Sequence, residues 1–256
     1  MPAARLVAFD LDDTLTPSKS PISPEMAEAL TALLEVVPVC IISGGRLEQF
    51  TTQVIDRLDL DDVARSRLHL MPTCGTRYYR FADDGALREV YAHDLSEQER
   101  TAARTVLEEE ARRLGLWEEE TWGAVLEDRG SQITFSALGQ RAPLEAKRTW
   151  DPTGEKKERL RAAVAERLPE LEVRSGGSTS VDITRRGVDK AYGMRRLAQH
   201  TGVDLGDMLF IGDRLDEGGN DYPVRTLGVP CVAVSGPEET VGVVRGFIAD
   251  LVPATR

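Results

Sequence analysis

Asp10, Asp12 and Thr14 stand two residues apart just past a short apolar run, Leu6-Val7-Ala8-Phe9. Such a run reads as a strand buried on both faces. Side chains alternate along a strand, so Asp10 and Asp12 fall on one side, at its carboxyl end. Open α/β sheets hold their ligands there. Two carboxylates this close do not both ionise cheaply unless a cation screens one or a proton neutralises the other. Metal for one and a proton for the other is the arrangement phosphoryl transfer needs. A solvated acidic turn would be spelled the same way, so the rest of the chain must decide.

Three further stretches carry groups of the right kind. Ser43-Gly44-Gly45 follows the apolar run Val39-Cys40-Ile41-Ile42. At a helix start it would offer phosphate a hydroxyl and free backbone N–H groups. Lys190, in Gly187-Val188-Asp189-Lys190, opens a helix aimed at the same edge, where its ammonium can neutralise both phosphate and nucleophile. Met208-Leu209-Phe210-Ile211 runs into Gly212-Asp213, with Asp221 closing Gly218-Gly219-Asn220-Asp221. Hard carboxylate oxygens of this sort suit Mg²⁺. Taken singly, these could be a tight turn, a surface lysine and an Asp/Gly-rich loop. Together, and in this order, they outline one site.

The elements that position these groups alternate. Ser23-Pro24 spells an N-cap followed by proline at the first helical position. Met26, Ala29, Leu30, Leu33 and Leu34 then repeat at helical spacing, and Leu47, Phe50, Val54 and Leu58 mark a second helix. With a third strand at 68–71, this rhythm predicts βαβ units and a parallel sheet. The rhythm breaks at 77–91, a hairpin turning on Asp83-Asp84-Gly85. Ser96 and Glu99 form a capping box for a long helix to about Leu114. The 125–138 and 178–184 stretches alternate polar with apolar, as in sheets with one wet face, and a helix lies near 155–168. A helix from Lys190, a strand at 208–211, a last strand at about 229–234 and a closing helix with Val244, Phe247, Ile248 and Leu251 resume the first pattern. We therefore expect a core of 1–87 and 187–256, with 88–186 inserted as an α+β domain.

The chain has 256 residues, 41% hydrophobic and 29% charged, with a net charge of −11. That balance argues against nucleic acid or an anionic membrane as partner, so anionic substrates must be drawn in by local cations or metal. Cys40, Cys74 and Cys231 are widely spaced and odd in number, as for reduced thiols rather than a metal cluster. No charged-then-apolar leader precedes Leu6, and no apolar run approaches ~18 residues. A cytoplasmic protein is expected; homodimerisation is left open.

In order, Asp10-Leu11-Asp12-Asp13-Thr14, Ser43, Lys190 and Gly212-Asp213 with Asn220-Asp221 resemble the four motifs of the haloacid dehalogenase superfamily. The resemblance covers almost the whole chain. It is closest to the phosphomannomutase branch, through Gly218 to Asp221 and through Gly176-Gly177-Ser178-Thr179-Ser180-Val181-Asp182 shortly before Lys190. It implies a Rossmann-like parallel sheet core with an inserted C2B cap that sets substrate specificity. It also implies Asp10 as nucleophile, Asp12 as general acid and base, and Ser43, Gly44 and Lys190 as phosphate binders. Mg²⁺ would be held by Asp10, Asp213 and the backbone carbonyl of Asp12, with Asp221 in support. In the cap, Arg129, Arg141, Lys147, Ser180 and Asp182 would bind a small phosphorylated sugar. Two departures stand out. Asp13 replaces the usual glycine, in a turn that Asp tolerates better than most residues. Gln140 and Lys147 fall where the mutases carry arginines. On that weakened clamp the sequence ranks a sugar-phosphate phosphatase first, a phosphomannomutase-type mutase second and a non-catalytic phosphoryl receiver third.

Overall fold

The computed structural model describes residues 4–176 and 179–251. The chain divides into two compact units, Met1–Ala92 with Asp189–Arg256, and His93–Val188. In the first unit, β1 (Leu6–Phe9), β2 (Val39–Ile42), β3 (Leu68–Met71), β4 (Arg77–Phe81) and β5 (Leu87–Ala92) share one sheet with two later strands. In the second unit, β6 (Leu126–Asp128), β7 (Gln132–Ser136), β8 (Leu171–Ser175) and β9 (Ser180–Arg185) form a four-stranded sheet. Back in the first unit come β10 (Met208–Gly212) and β11 (Cys231–Ala233). The sheet orders are β11-β10-β1-β2-β3-β4-β5 and β6-β7-β9-β8.

β1, β2, β3, β10 and β11 run parallel, as the solid apolar runs require. Their alternate side chains feed two cores. Val7, Phe9, Val39, Ile41, Leu209 and Ile211 pack with the Pro24–Val36 and Pro237–Leu251 helices. Leu6, Ala8, Cys40, Ile42 and Phe210 face the Lys190–Thr201 helix on the other side. The local signals act as written: Ser23 Oγ caps Met26 N–H, and Ser96 and Glu99 close a capping box on Glu97–Arg113. Among the described residues no helix is long and apolar enough to cross a membrane.

Several boundaries fall elsewhere than the sequence predicts. The division comes after Ala92 and after Val188, not at 87 and 186, because β5 pairs antiparallel with β4 and so extends the first sheet. The second helix stops at Gln53 and gives way to a tighter turn over Ile55–Arg57. The 125–138 stretch is a hairpin, β6 and β7, reversing at Gly130 with φ 78°. β8, absent from the sequence reading, is an edge strand of only five residues with alternating burial. A helix over Leu144–Trp150 is a further element that the sequence pattern does not predict. The alternating face of β7 is not wet: Gln132, Thr134 and Ser136 are all buried.

His69 is the polar exception within the parallel strands, 4% exposed on β3. Its Nδ1 lies 2.6 Å from the Tyr78 hydroxyl on β4, and the rings stack. Burial, aided by Arg80, depresses its pKa to about 3. The folded chain therefore keeps His69 neutral where the unfolded chain takes up a proton. Its contribution to stability is whole above pH 6.5 and declines as pH falls towards 3. The decline is at most about 1.4 kcal/mol per pH unit. His69→Gln is expected to flatten the pH dependence of urea unfolding across that window; an unchanged slope would count against this account.

Candidate active site

Parallel pairing of β1 with β10 brings Phe9 level with Ile211, so Asp10 and Asp213 leave neighbouring strand ends. The Asp10 N–H still donates to Ile211 O, at 3.0 Å, which fixes where its side chain starts. The Lys190–Thr201 helix begins beside them, its N-terminus capped by the Asp189 carboxylate on Tyr192 N–H. That helix packs unusually close. A Cβ on Gly193 would lie 2.3 Å from Ile42 Cδ1 and 2.8 Å from Cys74 O, so glycine there lets Lys190 reach the strand ends.

At the centre, Lys190 Nζ lies 2.5 Å from Asp10 Oδ1 and 2.5 Å from Asp221 Oδ1. All three are buried, Lys190 at 1% exposure and Asp221 at 0%. Asp221 Oδ2 also accepts from Arg214 N–H at 3.1 Å. Asp213 is tied to the first loop: its N–H donates to Thr14 Oγ1 at 3.1 Å, and that hydroxyl donates to Asp213 Oδ1 at 3.2 Å. Thr14 O in turn accepts from the buried Thr240 hydroxyl at 2.8 Å.

Burial pushes Asp10 up to about 7, against the pull of Lys190 and with Asp221 adding to the rise. Asp213 is raised by burial and then by Asp221. For Lys190, burial opposes the ammonium, but Asp10 and Asp221 outweigh it and hold the pKa above the ordinary lysine value. Three carboxylates thus share one ammonium, which leaves two negative charges uncompensated. Oxygens of Asp10, Asp213 and Asp221 lie within 4.8 Å of one another. An all-oxygen set short of two positive charges fits Mg²⁺. Asp221, with both oxygens already engaged, fits a supporting place behind Asp10 and Asp213.

Asp12 stands apart from this trio. Its Oδ1 accepts from Lys19 N–H at 2.8 Å and its Oδ2 from Gln49 Nε2 at 2.9 Å. A ligand from Asp12 to the metal would therefore be its backbone carbonyl. Asp13 holds φ 60°, a left-handed conformation that favours glycine, and its Oδ1 accepts from Ser18 N–H at 3.0 Å. Ser43 is buried at the end of β2, as expected, but the phosphate seat differs from the sequence reading. The Gly45 N–H is not free, since it donates to Ser43 Oγ at 3.1 Å. The following helix starts only at Leu47, so Ser43 and Gly44 belong to a loop. Left-handed Thr73 and Cys74 hold that loop by donating to Gly45 O and Ser43 O.

In the second unit, Arg129 donates from Nε and Nη2 to Glu127 Oε2, at 2.8 and 2.6 Å. Asp182 accepts from Thr134 Oγ1 at 2.7 Å; burial raises its pKa against the pull of Arg129. Ser180 Oγ meets Ser136 Oγ at 3.0 Å, Gln140 Nε2 donates to Ser136 Oγ at 2.9 Å, and Lys147 Nζ lies 3.5 Å from Gln140 O. Ser180 and Asp182 thus share one face with Ser136 and Thr134, while Arg129 is bonded to Glu127 and Lys147 to Gln140. Arg141 is exposed and lies against Gly123. Gly177 and Ser178, part of the 176–182 segment on which the sequence resemblance rests, lie outside the described residues. Sequence reasoning missed Gln49, Thr240 and Gln132. Neither the type of Gln49 nor its place on a short amphipathic helix signals its partner.

Lys190 is the counter-charge for two buried carboxylates, and removing one partner of such a cluster costs about 3–5 kcal/mol. Lys190→Met is expected to lower urea stability by that order in chelator, and adding Asp221→Asn should recover part of it. A single variant as stable as the wild type would contradict the cluster's energetics.

The eukaryotic phosphomannomutase family model matches residues 26–249, a span running through both units. A phosphomannomutase of Schizosaccharomyces pombe is 29% identical over 262 residues, covering 92% of this chain and 91% of its own. Among solved structures, an IMP-bound, N-terminally truncated IMP-nucleotidase of Plasmodium falciparum superposes with a TM-score of 0.70 at 15% identity. It covers 96% of this chain and 68% of its own. A haloacid dehalogenase-like hydrolase from Bacteroides thetaiotaomicron gives a TM-score of 0.64 at 16% identity, over 97% of this chain and 100% of that one. These two likenesses concern the fold, a haloacid dehalogenase-like α/β core. The family match adds the ancestry: the chain belongs to the eukaryotic phosphomannomutase family.

Proposed function

We propose that the protein is a hexose-phosphate mutase of phosphomannomutase type, moving phosphate between the 1- and 6-hydroxyls of mannose or a close relative. One observation carries this reading: the family match extends through the whole His93–Val188 unit as well as the core. The core chemistry is common to phosphatases and mutases, so a likeness confined to the core would not separate them. This reverses the order in which the sequence alone ranks the two. Hydrolysis stays as a second reading on a specific observation. Gln140, where the mutases carry arginine, is spent on Ser136, and Arg129 is already paired with Glu127.

In this reading Asp10 attacks phosphorus in line and forms an aspartyl phosphate as the bond to the sugar oxygen breaks. Lys190 favours the ionised form of Asp10 against burial and orients it for that attack, and Asp221 holds Lys190. Asp12 gives its proton to the departing sugar oxygen and later takes one from the incoming hydroxyl. Ser43 and Gly44 bind the transferring phosphoryl group. Bound Mg²⁺ supplies charge neutralisation at that group. Arg129, Arg141 and Lys147 of the cap take the phosphate that is not reacting, with Ser180 and Asp182 on sugar hydroxyls. Arginine suits that role because its planar fork binds phosphate bidentately.

The deciding assay gives the protein mannose 1-phosphate and Mg²⁺, with and without hexose 1,6-bisphosphate, and follows both 6-phosphate and free phosphate. The expected result is bisphosphate-dependent isomerisation exceeding phosphate release, abolished by EDTA and by Asp10→Asn. Phosphate release without isomerisation would overturn the mutase reading in favour of the phosphatase.

Asp12→Asn separates the acid role from the nucleophile. General acid–base catalysis contributes roughly 10²–10⁴-fold, and an activated aryl leaving group needs little of it. Transfer from a sugar phosphate should collapse while transfer from p-nitrophenyl phosphate survives. Equal losses on both would remove Asp12 from that role.

A further inference from the structure

Gln49 and Gln53 stand four residues apart on the Leu47–Gln53 helix, and so share one side of it. Both are committed to the loop that follows Asp10. Gln49 Nε2 donates to Asp12 Oδ2 at 2.9 Å. Gln53 is buried at 3%, and with its amide oriented to bond, its oxygen accepts from Lys19 N–H at 3.0 Å and Ser20 N–H at 3.1 Å. The Gln53 backbone carbonyl also accepts from Ile22 N–H at 2.9 Å. Lys19 N–H meanwhile donates to the other oxygen of Asp12, at 2.8 Å. Each Asp12 oxygen is thus held by one N–H, one from the helix and one from the loop that the helix grips.

Reaching Asp12 requires the Gln49 side chain to fold back over the Ser43-Gly44-Gly45 loop. A Cβ on Gly45 would lie 2.3 Å from Gln49 Oε1 and 2.8 Å from its Cδ. Any other residue at 45 would push Gln49 away, so the second glycine of that loop serves this contact as well as the turn.

We propose that Gln49 is the positioning residue for Asp12, fixing the carboxyl group in the one orientation from which it exchanges a proton with the sugar oxygen. This rests on Asp12 being the general acid and base. A freely turning carboxyl would spend most of its time misdirected, and small misplacements of a catalytic group are costly in rate. The helix that begins beside the phosphate-binding loop thereby aligns the acid with the phosphorus it serves.

The test compares Gln49→Met, which keeps the side chain's length and its packing on Gly45 but cannot donate, with Gln49→Ala and Asp12→Asn. Single-turnover phosphoryl transfer is measured from mannose 1-phosphate and from p-nitrophenyl phosphate. Both Gln49 variants are expected to lose about ten- to hundred-fold in the maximal rate on the sugar phosphate, part of the general acid–base contribution. The aryl phosphate rate should change by less than about threefold, since its leaving group needs little protonation. The sugar-phosphate concentration for half-maximal rate should stay put. Equal losses on both substrates, a change in half-saturation alone or a wild-type rate in Gln49→Met would each overturn the proposal. If Asp12→Asn is selective while Gln49→Met is not, only the positioning role falls. If Asp12→Asn is itself unselective, the acid assignment falls and this inference with it.

Discussion

One buried ammonium holds the carboxyl end of the parallel strands together. Lys190 sits 2.5 Å from both Asp10 and Asp221, and the three groups are nearly sealed from solvent. Removing two carboxylates and an amine from water is unfavourable, and apolar residues of equal volume often match or exceed such a cluster in stability. The surrounding structure is arranged to offset that. Arg214 N–H serves the second oxygen of Asp221, and the Asp189 cap starts the helix where Lys190 must stand. The glycine at 193 brings that helix in close enough for the ammonium to arrive.

The cluster is deliberately incomplete in charge. With Asp213 alongside, the carboxylates outnumber the ammonium, and burial drives Asp10 and Asp213 upward as a result. An electrostatic deficit of this kind at strand ends suits a divalent cation and a phosphoryl group arriving together. Thr14 and Thr240 extend the same logic outward. They lock the Asp213 backbone and side chain to the first loop and that loop to the last helix. Residues 14, 213 and 240 are thereby rigidly coupled despite their distance in sequence.

The second unit solves a different problem. Its sheet carries a polar face on which the buried Gln132 bonds to Thr134, and the buried Thr134 and Ser136 bond to the half-buried Asp182 and Ser180. Such a network orients its members only if nearly all are satisfied. Pairing Arg129 with Glu127 keeps a guanidinium in place there without leaving a buried charge alone. A phosphate recruited to Arg129 has to compete with Glu127. In the proposed function, that competition and the glutamine at 140 are what weigh water against sugar as the acceptor.

The parallel core was legible in the sequence because it is written locally. Residues 6–9, 39–42 and 208–211 are apolar without interruption and 68–71 is broken only by His69, the spelling of strands covered on both faces. Ser23, Ser96 with Glu99, and Asp10, Ser43, Lys190 and Asp213 at element ends were readable for the same reason, since caps and strand ends depend on near neighbours. The tertiary structure decided what depends on distant partners. β5 counted with the first sheet because of its pairing with β4, and β8 existed as a strand only through β9. The polar face of β7 proved buried, since periodicity reports alternation and not what covers each side. Most of all, the spelling of Gln49 gave no hint of a bond to Asp12, 37 positions earlier. A side-chain hydrogen bond between two elements leaves no periodic trace in either, so only the fold that brings them together could reveal it.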